Sequence, residues 1–253
     1  MTEVGVQPAA EATPGLSQWH RVSNVFIAPS KTFEDINRGH RSWWLPYLIM
    51  VVFGYMLFFA ITMKIGWAQV AENAIKMDPK AEERMAQAPP EQRETTMKFT
   101  RYGMQGGFAA TPVLVLAFVA LGSLGLWGTI NFGFGGKASF GSVFAVWMFA
   151  GLPGLFKTIL GIIVIYSGIA PESFNLNNFA PTNLAAFLSP TETNQALYAL
   201  AGWIDFTTIW SMIILGIGLS IVAGVKRSSG YIAVFGWWAL FLIINVGYKA
   251  ATS

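Results

Sequence analysis

Two charged residues stand inside long apolar stretches of this chain, and any chemistry in the membrane would start with them. Lys157 follows Gly151-Leu152-Pro153-Gly154 in the middle of one apolar run. Asp205 opens the next run, in GWIDFTTIW (202–210). A charge at mid-bilayer costs about 2.5–3.5 kcal/mol to insert, so each needs a physical reason to be there. The pair could line a polar path through a small transporter or channel, with the helix break at Pro153 opening it. Alternatively Asp205 is an anchor at the water line. Trp203 and Trp210 bracket it as interface residues do, and the dipole of a helix start favours a carboxylate. On that reading Asp205→Asn is mild, and Lys157→Met is neutral unless it strands a partner.

Other chemistries find little footing. Residues 131–138, NFGFGGKA, lack the first Gly and the final Ser or Thr of a phosphate loop. His20 and His40 are the only histidines, and neither has a partner at zinc-site spacing. There is no cysteine and no GxSxG. The expectation is no catalytic residue, no cofactor and no metal.

The elements that would position Lys157 and Asp205 follow from composition. The chain has 253 residues, 54% of them hydrophobic and 11% charged, with mean hydropathy +0.50. A soluble domain carries about a quarter charged residues. The deficit predicts an all-α, polytopic membrane bundle. Five spans are expected: about 43–65, opened by Trp43-Trp44 and Pro46; 108–130; 142–169, kinked at Pro153; 204–225; and 231–248. Gly216, Ser220 and Gly224 put small residues on one face of the fourth span, which suits close helix packing within the chain or between two copies.

Outside the spans, residues 1–15 read as a disordered tail. Residues 16–42 read as two short amphipathic helices on the cytoplasmic side. They either lie in the headgroup layer through Trp19 and Phe26 or pack on the helix ends. Residues 67–107 balance six basic against six acidic residues and are divided by Pro89-Pro90. They read as a water-exposed helical hairpin that prolongs the first two spans. The 170–199 loop is rich in Asn and has neither Lys nor Arg. The short connections on the N-terminal side carry Arg21, Lys31, Arg38, Arg41, Lys137, Lys226 and Arg227, so the N-terminus is expected inside the cell and the 67–107 hairpin outside. No cleavable signal peptide is read in the first forty residues. The basic excess, pI near 9.2, is scattered over loops, so no nucleic-acid partner is expected.

Phe26, Pro29, Phe33 and Ile36 precede Trp43-Trp44 and Pro46. Further on come NLAAFL (183–188), then Asp205-Phe206 to Trp210 and a glycine-rich fourth span. Together these resemble the bacterial branch of the Yip1-domain family of five-span membrane proteins, with 67–107 as an insertion. In eukaryotes such proteins work in vesicle traffic and bind small Rab GTPases. The Asp-Leu-Tyr-Gly-Pro motif of that branch is absent here. Some bacterial relatives support membrane export machinery. The resemblance implies a non-enzymatic scaffold or accessory protein of the inner (plasma) membrane. Its partners would be lipids and other integral membrane proteins, a second copy among them.

Overall fold

The computed structural model describes residues 14–252. The expected disordered tail falls almost wholly outside them.

The chain first forms a tight helical hairpin. Ser17 caps α1 (Gln18–Ile27), its hydroxyl accepting from His20 N. Pro29 sits in the first turn of α2 (Pro29–Asn37), where its missing N–H costs nothing. Arg21 and Asp35 are both buried, with Nε 2.8 Å from Oδ2. The guanidinium also donates to the carbonyls of His40 and Leu16. Arg21, counted above among the basic residues of the short connections, is the hairpin's internal clamp.

Among the described residues, five helices are long and apolar enough to cross a bilayer. The first is α3 (Trp44–Lys64). Gly66, at φ +82, turns the chain into α4 (Trp67–Lys76), followed by α5 (Pro79–Gln87) and α6 (Pro90–Ala109). The expected two-helix hairpin is thus three helices. Asp78-Pro79 makes the extra break, Asp78 capping and Pro79 occupying the first turn. Next come α7 (Thr111–Gly128), which runs into a π-turn over Thr129–Gly133, and α8 (Phe140–Ala150). The turn at Gly151–Pro153 breaks the third span, and α9 (Gly154–Tyr166) completes it. After short 3₁₀ turns, α10 (Gln195–Trp203) precedes the fourth span, α11 (Phe206–Ala223). The fifth, α12 (Arg227–Thr252), starts earlier than expected. Most of the basic turn at 226–230 is already its first turn.

The α1–α2 hairpin is packed into the bundle. Val25, Phe33 and Ile36 are fully buried in one core with Val146, Phe149 and Leu219. Phe33 fills the room that Gly218 leaves: a Cβ there would lie 3.0 Å from its ring. Phe26 packs edge-on against Phe156 and Trp210. Trp210 is thirteen residues, about 20 Å of helix, from Ala223 at the end of α11. The hairpin tip therefore reaches well into the bundle, and of the two placements weighed for 16–42 the structure shows packing on the protein. Cutting the clamp should release it. Arg21→Met strands the buried Asp35 carboxylate, a loss of about 3–5 kcal/mol for a buried pair. The expected outcome is faster amide exchange across 16–37, with protection of α11 retained. Unchanged exchange in the hairpin would mean that Phe33 and Ile36 hold it without the ion pair.

A second core lies on the opposite side of the bundle, the far side, around Ile61, Trp67, Val70, Ile165 and Phe174. Asn73 of α4 is buried there. Its amide donates to the carbonyls of Pro171 and Phe174 at 2.7 and 2.9 Å. The 67–107 helices thus clamp the start of the Asn-rich loop. Charges along their outer faces pair locally, as in Glu72–Lys76 and Glu94–Lys98.

Candidate functional site

The break at Gly151–Pro153 sets Lys157 one turn into α9, facing the start of α11. Asp205 is the N-cap of α11, its Oδ1 accepting from Thr208 N at 3.1 Å. The same oxygen accepts from Thr207 Oγ1 at 2.6 Å. Oδ2 accepts from Lys157 Nζ at 3.0 Å and from Thr182 Oγ1 at 2.7 Å. A carboxylate can accept about four hydrogen bonds, so this one is saturated. Its side chain is 3% exposed and that of Lys157 is 24% exposed.

The backbone supports the same point. Asn183 and Asp205 form an isolated antiparallel bridge, and Phe206 N donates to Thr182 O at 2.9 Å. The Asn-rich loop thereby folds inward to meet the helix start. Phe179 from this loop lies over Lys157, with Nζ 5.7 Å from the ring centroid. The ring occupies the space over Gly161, where a Cβ would collide with it.

Asp205 is buried and paired with Lys157, not an exposed carboxylate between two tryptophans. The fourth span has 18 residues, whereas the third runs for 27. The shorter helix starts below the level where the longer one ends, which brings Asp205 to the depth of Lys157. The expectation that Asp205→Asn is mild and Lys157→Met neutral loses its premise.

The other singled-out residues divide. Trp19 and Trp44 are exposed. Trp43 packs on Phe144, with ring centroids 5.1 Å apart. Trp210 stacks on Phe156. Trp203 donates through Nε1 to Asn245 Oδ1 at 3.1 Å and meets Trp238 edge-on. Gly216 and Ser220 face α12 at Tyr231 and Gly230, so their small size serves an internal contact. Gly224 does not belong to that face: it ends α11 in the left-handed region, at φ +66. Thr182, Thr207 and Phe179 were not singled out in the sequence. Two threonines in polar or helix-start settings carry no signal of their own.

A polar chamber of about 540 Å³ opens above the pair. Lys157 and Asp205 line it, together with Asp78, Asn175, Asn178, Gln195, Tyr198 and Lys249. Among the described residues no cluster of three His, Asp or Glu side chains could hold a metal ion.

These features define a multi-pass helical membrane protein that pairs Lys157 with Asp205 inside its bundle. Its sequence matches the Yip1 domain model over residues 23–248, and the chain belongs to that family. It is also similar to membrane protein YknW of Bacillus subtilis (strain 168), with 23% identity over 222 residues, covering 88% of this chain and 87% of the relative. No solved structure matches the chain.

Proposed function

We propose that this Yip1-domain protein is a non-catalytic scaffold or accessory protein of the bacterial inner membrane. It would support membrane organisation, trafficking or the assembly of export machinery. The observation behind this reading is the Asp205 carboxylate, saturated by Lys157, Thr182, Thr207 and the Thr208 amide. A carboxylate with all its bonding capacity spent in place is suited to holding a fold together and poorly suited to handing on an ion. The wide apolar faces of α7 and α12 support it too. Only 22% and 17% of their spans are buried within the chain, which leaves surface for lipids and other membrane helices. Gentle affinity purification of the tagged chain with mass spectrometry tests the proposal. Reproducible recovery of integral membrane partners is expected; recovery of the chain alone under several mild detergents would count against it.

The same proposal places the N-terminus in the cytoplasm and 67–107 outside, on the strength of the basic short connections. The chain has no cysteine, so single cysteines report topology cleanly. In intact cells an impermeant thiol reagent should label Ala86→Cys and spare Ser229→Cys. The reverse pattern would invert the topology.

A further inference from the structure

Beside the polar chamber runs an apolar groove of about 940 Å³. It lies between α7 and α12, with Leu121, Gly154, Ser211, Trp237 and Phe241 among its walls. Trp203, Thr208 and Asn245 line both spaces, so chamber and groove adjoin at one partition, and a ligand in both must pass beside the Trp203–Asn245 hydrogen bond or displace it. The two helices that flank the groove are the least buried of the five spans, so it faces the hydrocarbon.

We propose that chamber and groove form one site for a single glycerophospholipid, with its phosphate in the chamber and its acyl chains in the groove. Three observations select this occupant. An apolar trough that meets a polar pocket fits a molecule with one end of each kind, whereas a partner helix would leave the chamber unused. The chamber offers two cations, Lys157 and Lys249, to an anion, against one further acid, Asp78, whose Oδ1 already accepts from Lys80 N and Ala81 N. Asp205 is saturated, but the Lys157 ammonium has three donors and the carboxylate takes one. Its remaining donors and the ammonium of Lys249 suit the oxygens of a phosphodiester. Finally, the groove is at the upper end of the 300–1,000 Å³ common for small-molecule sites, and the chamber adds to it. The site stands whether or not the scaffold reading holds, because it concerns one bound lipid and no protein partner.

The test uses the full chain reconstituted with a phosphatidylethanolamine carrying a diazirine in one acyl chain. After irradiation, mass spectrometry should find the label concentrated on groove residues such as Leu121, Ser211 and Phe241. In parallel, protein purified in mild detergent is assayed for retained phospholipid. Gly154→Leu fills the groove at a position where an added Cβ meets nothing. It should lower retention about ten-fold, as should Lys249→Met by removing one charge-assisted contact. Gly128→Leu, also open but outside the groove, should leave retention unchanged. Label spread evenly over the outward faces of α3 and α12 would overturn the site, since that is an ordinary lipid annulus. So would equal retention in wild type, Gly154→Leu and Gly128→Leu, or a partner helix cross-linked in the groove. The labelling arm uses the wild-type chain and stays decisive if a variant does not fold.

Discussion

Asp205→Asn is expected to cost this protein about 3–5 kcal/mol of stability, the range for removing one member of a buried pair, although it exchanges only one oxygen for an NH2 group. Four donors converge on the carboxylate: Lys157, Thr182, Thr207 and the Thr208 amide. The asparagine has one carbonyl oxygen, and its NH2 must then face another donor. The Lys157 ammonium, 24% exposed, loses its counter-charge. Lys157→Met alone should cost less, because the carboxylate keeps three neutral donors. The double mutant carries neither charge, and the Thr182 hydroxyl can turn to accept from the new amide, so part of the loss should return. Thermal unfolding in detergent of wild type, both single mutants and the double mutant closes the cycle. A coupling of about 0.5–3 kcal/mol is expected for groups in one network. Purely additive losses would show that the ion pair contributes nothing beyond its parts.

This pair also marks where sequence reasoning ran out. The five spans were legible because an apolar stretch of about twenty residues has few other fates. The break at Pro153 was legible because proline removes a helical donor. Depth was not legible. Asp205 reads as an exposed helix start, but that helix is nine residues shorter than the third span and begins against Lys157. The α1–α2 hairpin posed a similar problem. Its apolar stripe fits a lipid surface or a protein surface equally well, and only the gap at Gly218 selects Phe33's neighbour. Arg21 was unreadable for a related reason. A lone arginine between apolar positions reads as solvated until the carboxylate fourteen residues on is brought against it. The Yip1 resemblance was legible from the order of weak motifs, and residues 23–248 match that family.

Three glycines of the last two spans should respond to substitution in three different ways. At Gly230 the backbones of α11 and α12 nearly touch. A Cβ there would lie 2.2 Å from the Gly216 carbonyl oxygen and 3.1 Å from Ser220 N. Both are backbone atoms and cannot swing aside, so the helices must part. Gly230→Val should cost about 3 kcal/mol, the upper end for overpacking, and more if the seam opens along its length. Gly224 meets nothing within 4 Å but sits at φ +66. Gly224→Ala should therefore cost only the left-handed penalty, about 1–2 kcal/mol. Gly236 has open space and lies within α12. Gly236→Ala should be neutral or gain up to about 1 kcal/mol from helix propensity. Thermal unfolding in detergent should thus rank the variants 236, 224, 230 from most to least stable. If Gly230→Val matches wild type while Gly236→Ala is damaging, α12 meets α11 through its other face. The groove beside α7 would then be shaped differently as well, because Trp237 and Phe241 reach it from the same helix.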